Sequence, residues 1–269
     1  MPERSQSDET AGVGARRVVL LPGSVLPASL AYPALIEAFG PDVDGVAKEL
    51  EVYAGPTPPP NYSLDHEIDG VLRVAAERDW ADFDLVGYSG GGASALAFAA
   101  KHPDRLRTLT LLEPAWAGNW DDMSAAHRAL WQEYDKLDGL PPDQFMRGFQ
   151  RLGVRPGVAL PPPPPGDPPP WMKLRPAGIA AFITTFKSYD LDRVALAGFG
   201  RPVLFVLGGL SNPDEYGEIG ERLGRVFTDY RLEVFADRHH FDPPHRVEPE
   251  RLAGLMRELW DREKDQEKV

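Results

Sequence analysis

The chain has 269 residues, enough for one large α/β domain with a good core or for two small domains. Apolar residues make up 42% and charged residues 26%, ordinary values for a soluble globular protein, and the absence of cysteine excludes disulfides, zinc–thiolate sites and a thiol nucleophile. A net charge of -12 argues against nucleic acid and against anionic membrane surfaces as partners, because both are bound through clustered Lys and Arg.

The opening stretch, "MPERSQSDETAGVGA" (1–15), is polar and reads as a disordered tail. It holds no apolar run of the kind a signal peptide carries, and no later stretch approaches the about 18 apolar residues of a membrane span. The expected location is the cytoplasm. "RRVVLLPG" (16–23) is a short apolar run stopped by Pro-Gly, which predicts a buried strand. "YPALIEAFG" (32–40) has helical spacing and ends at Gly40. "KELEVYAG" (48–55) reads as a second strand, followed by a proline-rich loop. "SLDHEIDGVLRVAAERDW" (63–80) predicts an amphipathic helix capped by Ser63, with His66 where a capping box prefers Glu or Gln. "FDLVG" is a third strand, "GGASALAFAAKHP" a helix, "LRTLTLLEP" a fourth strand, "RPVLFVLGG" a fifth, "YRLEVFAD" a sixth, and "PERLAGLMRELWDREK" a closing helix.

Strands alternating with helices imply βαβ units and a parallel sheet. The strand runs are almost wholly apolar, as expected when helices cover both faces. Residues 115–198 break the rhythm with three helical patterns and one insert, "LPPPPPGDPPPW", read as a stiff, exposed connector. The predicted fold is therefore α/β, a mostly parallel doubly wound sheet built from 16–114 and 199–264, with a helical cap inserted at 115–198.

"DLVGYSGGGASALAFAA" (84–100) sets Ser89 between an apolar strand and a helix of small residues. A serine hydroxyl is a poor nucleophile until a base takes its proton, an orienter holds that base, and donors receive the oxyanion. It must also be exposed at a sharp turn. Strand and helix then approach so closely that the residues two before and two after must be tiny, and Gly87 and Gly91 meet that need. In this setting G-x-S-x-G predicts a nucleophile elbow. No lysine follows to make a Walker loop, and the GxGxxG spacing of a dinucleotide fold is missing. A serine that only packs in a glycine-rich turn is the plain alternative.

With "LVGYSGGGASALAFAAKHPDRLRTLTLLEP", "RPVLFVLGG" and "LEVFADRHHF" in that order, the chain resembles the α/β-hydrolase family over about residues 17–115 and 199–262. The family usually has two further strands before the one starting at Arg16, so the sheet is expected to be shortened at that edge. The resemblance places the catalytic base at His240, with His239 as its neighbour. The cluster His239, His240, Asp242, His245 leaves a metal site as the alternative, but it lacks helical i, i+4 ligand pairing and no HExxH is present, so no metal is expected. In many relatives the acid is an Asp just after the fifth strand, and here that position holds Asn212. Asp214 and Asn212 remain candidates beside Glu113, at the end of the fourth strand, where some α/β-hydrolases and the thioesterase domains of polyketide assembly lines carry their acid. Glu113 is the first choice. The backbone N–H groups of Gly90 and, in the loop after the first strand, of Ser24 (Val25 next) are expected to form the oxyanion hole.

The expected function is hydrolysis of an ester, thioester or lactone of a medium-sized apolar small molecule through an acyl-enzyme, with no cofactor. The alternatives are a thioesterase or acyltransferase for carrier-bound acyl groups, and a non-catalytic ligand-binding homologue. Trp116, Trp120, Trp131, Phe145, Phe149, Trp171, Phe182 and Phe186 are expected to line an apolar pocket in the cap, with many of them simply core.

Overall fold

The computed structural model describes residues 14–160, 162 and 166–266. The predicted tail thus lies outside the described residues except for Gly14 and Ala15, and so do residues 161 and 163–165 of the proline-rich insert. Among the described residues six strands, β1 (Arg16–Leu21), β2 (Val43–Ala47), β3 (Phe83–Tyr88), β4 (Leu106–Leu112), β5 (Val203–Gly208) and β6 (Tyr230–Phe235), form one sheet in the order β2-β1-β3-β4-β5-β6. Every pairing is parallel.

Eleven α-helices among the described residues surround it: α1 (Ala28–Ala31), α2 (Pro33–Phe39), α3 (Leu64–Glu77), α4 (Gly90–Lys101), α5 (Ala125–Asp135), α6 (Pro142–Leu152), α7 (Arg175–Ser188), α8 (Arg193–Ala197), α9 (Glu218–Gly224), α10 (Pro244–Val247) and α11 (Pro249–Gln266). β1, β3, β4 and β5 read as largely apolar runs because both faces are covered. Val19, Leu21, Leu85, Leu111 and Phe205 pack with α3, α4 and α9. Their neighbours Val18, Leu20, Val86, Leu112 and Val206 pack on the opposite face with α2 and α11. The chain leaves β1 outward to β2 and returns to β3, so the order reverses between β1 and β3. The carboxyl ends of strands at such a reversal open a crevice for ligands.

The strand predicted over 48–55 is displaced. β2 lies at Val43–Ala47, and Glu51–Tyr53 is a single helical turn. β2 is an edge strand with every residue half-buried, so it carries no apolar run to announce it. The turn is fixed from outside its own sequence. The buried Glu67 carboxylate of α3 accepts from the backbone N–H of Glu51 (2.8 Å) and of Val52 (3.0 Å) and from the Tyr62 hydroxyl (2.9 Å), while Lys48 Nζ stands 3.7 Å away. At the start of α3, His66 Nδ1 accepts from the Ser63 N–H at 3.2 Å, so an imidazole fills the capping-box position.

Helices α5–α8 intervene between β4 and β5 as the inserted cap. Leu130, Tyr134, Leu137, Phe145, Phe149 and Ile179 give α5, α6 and α7 a small core of their own. α7 also bears on the sheet's carboxyl edge. A Cβ on Gly178 would lie 2.1 Å from the Tyr53 ring, and the Thr185 hydroxyl donates to the Tyr62 carbonyl at 3.1 Å.

Candidate active site

Three chain segments converge at the carboxyl edge of the sheet. The first is the turn from β3 into α4. Ser89 sits there with φ 53° and ψ -118°, a conformation that costs an L residue on the order of 1–3 kcal/mol and persists only when its surroundings hold it. Its N–H donates to the Leu112 carbonyl at 3.0 Å, and its own carbonyl accepts from the N–H groups of Ala93 (3.0 Å) and Ala115 (2.9 Å). The flanking glycines are obligatory. A Cβ on Gly87 would meet the Gly91 carbonyl oxygen at 2.4 Å, and one on Gly91 would meet the Pro22 carbonyl oxygen at 2.4 Å.

The second segment is the end of β4. Glu113 has φ 44°, and its N–H donates to the Val206 carbonyl at 3.2 Å. Carboxylate oxygen Oε1 accepts from the Gly208 N–H at 2.6 Å, which aims Oε2 away from the sheet. The third segment is the loop after β6, carrying His240. Its Nδ1 lies 2.9 Å from Glu113 Oε2 and its Nε2 lies 3.0 Å from Ser89 Oγ. The imidazole is clamped on its face and through its backbone. Tyr216 stacks on it at 4.1 Å between ring centres with 9° between planes, and the Tyr88 hydroxyl donates to the His240 carbonyl. Ser89, Glu113 and His240 are 4%, 4% and 1% exposed, so water reaches none of them freely.

Ser24 lies across the crevice on the loop after β1. A Cβ on Gly90 would stand 2.4 Å from Ser24 Oγ and 3.3 Å from the Phe182 ring of α7, so Ser24, Gly90 and Phe182 enclose one point beside Ser89. Neither the Gly90 nor the Ser24 N–H has a backbone acceptor among the described residues.

The other acid candidates do not reach the imidazole. Asn212 Oδ1 accepts from the Asp214 N–H at 3.0 Å and its Nδ2 donates to the Leu152 carbonyl at 2.7 Å, so the amide ties the end of α6 to the loop after β5. Asp214 is exposed. The His239–His245 cluster does not converge on one point either. His239 Nδ1 accepts from the Phe241 N–H at 3.1 Å. His245 packs between Tyr32 and Tyr88 at 4.9 and 4.8 Å, and burial pushes its pKa down to about 3, which keeps it neutral.

Sequence reasoning passed over the pair Glu215–Tyr216, one residue beyond Asp214. Asn212 begins a wide helical turn, Pro213–Gly217, that drives both side chains inward. Tyr216 becomes the stacking partner of His240, and Glu215 accepts from the Tyr134 hydroxyl of α5 at 2.8 Å. Complete burial pushes the Glu215 carboxyl up to about 8, with the nearby Glu113 charge acting in the same direction. The local signal is the Asn-Pro turn start after β5, which brings the third and fourth residues of the turn under the loop.

Of the cap aromatics, Trp116, Phe182 and Phe186 belong to the main core, while Phe145 and Phe149 fill the cap's own. Trp131 and Phe186 line a cavity of about 290 Å³ between α5 and α7, with Asn119, Met123, Arg128, Asp135 and Lys187. Phe186 packs on Phe182 at 5.5 Å, so two rings separate that cavity from Gly90.

The model of the alpha/beta hydrolase fold family matches residues 55–244 of the sequence. The chain belongs to that family. No curated protein matches it. Among solved structures, a thermophilic esterase from Thermogutta terrifontis is 19% identical with a TM-score of 0.67, covering 93% of this chain and 91% of that one. A meta-cleavage product hydrolase from Pseudomonas fluorescens is 20% identical with a TM-score of 0.57, covering 93% and 92%. Naproxen esterase from Bacillus subtilis is 15% identical with a TM-score of 0.58, covering 90% and 83%. At these identities the likeness establishes an alpha/beta hydrolase architecture. No described helix is long and apolar enough to cross a membrane.

Proposed function

We propose that the chain is a serine hydrolase that cleaves an ester, thioester or lactone of a medium-sized, largely apolar small molecule through an acyl-enzyme. What supports this is the unbroken line from Ser89 Oγ through His240 to Glu113 Oε2, at 3.0 and 2.9 Å. With Nδ1–H donating to Glu113, Nε2 carries the lone pair and accepts the Ser89 proton as Oγ attacks the carbonyl carbon. Glu113 holds the ring in that tautomer and stabilises the imidazolium that forms. The N–H groups of Gly90 and Ser24 receive the oxyanion. As the intermediate collapses, the imidazolium returns its proton to the leaving oxygen or sulfur. Water then enters, His240 takes its proton, and the ester to Ser89 is hydrolysed by the same route in reverse. The esterase and hydrolase names of the structural relatives agree with this class.

A fluorophosphonate probe tests it. The probe is expected to label the wild-type protein at Ser89, and Ser89→Ala is expected to lose labelling and to lower turnover of a 4-nitrophenyl ester by several orders of magnitude at unchanged thermal stability. Ester turnover by Ser89→Ala within about tenfold of wild type would refute the assignment, because losing a triad nucleophile leaves only the residual effect of the oxyanion hole and binding.

A further inference from the structure

Tyr216 is 2% exposed, and it meets the His240 imidazole differently from the other rings around it. Its ring centre lies 4.1 Å from that of the imidazole with 9° between the planes. Tyr88 is 5.0 Å away and tilted by 36°, and Phe241, also at 5.0 Å, is perpendicular at 90°. Tyr216 therefore presents its π face, the negative side of an aromatic quadrupole, flat against the base.

The ring is held in that place from several directions. The Asn212 N–H donates to the Gly153 carbonyl at 3.2 Å, and the Tyr216 N–H donates to the Asn212 carbonyl at 3.0 Å. A Cβ on Gly153 would lie 3.6 Å from the Tyr216 hydroxyl and 2.8 Å from the Phe241 ring, so the end of α6 closes on both rings. Glu215, the preceding residue, accepts from Tyr134 of α5, which fastens the same turn to the cap.

The charges around the imidazole are few. Glu113 and Ser89 occupy its two nitrogens. Burial holds the Glu215 carboxyl up at about 8 and His245 of α10 down at about 3, so both are neutral between those limits. Burial also pushes the Tyr88 and Tyr216 hydroxyls well above their ordinary value. On the loop itself, His239 turns Nδ1 to the Phe241 N–H, and Asp242 is paired with Arg238 at 2.6 Å. In the proposed reaction the imidazole gains a positive charge when it takes the Ser89 proton. A cation within about 6 Å of a ring face is attracted by the quadrupole, more strongly out of water. An attraction that grows with that charge favours the transition state over the ground state, and only such interactions speed the chemical step.

We propose that Tyr216 is a positioning residue for the base: its ring fixes the His240 imidazole between Ser89 and Glu113, and its π face attracts the imidazolium that forms as the Ser89 proton is taken. This rests on the reading of Ser89 as the nucleophile and His240 as its base.

The test replaces Tyr216 by phenylalanine, by leucine, and by phenylalanines carrying one, two and three ring fluorines, which nearly keep the ring's shape while weakening its π face. Kinetics on a 4-nitrophenyl ester are followed against pH. Tyr216→Phe, which keeps the ring, is expected to retain most of kcat. Tyr216→Leu is expected to lower kcat about 10-fold with little change in KM. The acid limb of its kcat/KM profile is expected to move to lower pH by about half to one and a half units, because an imidazolium without the ring face loses its proton more readily. The fluorinated series decides, and it does not depend on the leucine variant folding. An acid limb that steps to lower pH with each fluorine supports the proposal. A limb that keeps its place along the series makes Tyr216 a packing residue and overturns the proposal. If the wild-type protein turns over no ester, the hydrolase reading fails by itself. The His240 ring protons, assigned with His240→Gln and titrated by NMR in the same series, then give the answer: the same downward steps support the contact, and no steps overturn it.

Discussion

In the proposed triad the acid stands after the fourth strand rather than the fifth, and the geometry favours that position. β4 pairs directly with β3, so a side chain leaving the end of β4 is one strand from the elbow. Glu113 reaches His240 from there with one oxygen pinned by the Gly208 N–H. Asn212 follows β5, one strand further out, and its amide is spent on Leu152 and Asp214. Glu113→Gln is expected to lower kcat by about 10⁴, as an amide beside Nδ1 favours the wrong tautomer and leaves the imidazolium unpaired. Asp214→Asn is expected to leave kcat near the wild-type value. Steady-state kinetics on a 4-nitrophenyl ester separates the two, and a large loss in Asp214→Asn with little in Glu113→Gln would move the acid to the β5 loop.

At the scale of elements, legibility followed burial. Four of the six strands, β1, β3, β4 and β5, carry largely apolar runs because they lie between two helical layers, and a run of Val and Leu ended by Pro-Gly or Gly-Gly has few other readings. β2 escaped because half-buried edge residues such as Asp44 and Gly45 carry no such pattern. Ser89 was legible because steric closeness demands glycine at 87 and 91, and Glu113 because a carboxylate ending an apolar strand requires a partner. Glu215 and Tyr216 were not, because only the turn started by Asn212 points them inward. Their contact with α5 has a measurable consequence. Folding raises the Glu215 carboxyl from 4.5 to about 8, so the native state holds a proton that the unfolded chain releases. The stability it contributes is whole below about pH 4.5, is lost as pH rises through about 8, and changes by about 1.4 kcal/mol per pH unit between the two. Glu215→Gln keeps an acceptor for the Tyr134 hydroxyl but has no proton to lose. Its Tm is expected to gain on the wild type from pH 5 to pH 8, whereas a constant difference across that range would show the carboxyl to be ionised in the folded protein.

Taken as one molecule, the protein encloses the proposed site. α7 crosses the carboxyl edge of the sheet and sets Phe182 over Gly90, with Phe186 behind it, and Ser24, Ser89 and His240 are all buried beneath. A dry site strengthens the contacts between Ser89, His240 and Glu113, since little water competes for them. It also forbids a substrate from arriving while the cap is down. α7 is held by Arg175 on Tyr53 at its start, by the Thr185 hydroxyl on the Tyr62 carbonyl, and by Phe182 and Phe186, which pack into the main core. Reaching Ser89 from solvent requires these contacts to part, and lid opening of this kind commonly limits the rate. Covalent labelling of Ser89 is therefore expected to saturate with reagent concentration at a rate set by opening. Two fluorophosphonates of different intrinsic reactivity, followed by stopped-flow, should reach the same plateau, and Phe182→Ala should raise it by thinning the cover over Gly90. Labelling rates that climb linearly with concentration, in proportion to each reagent's reactivity, would mean that Ser89 is reached without any motion of the cap.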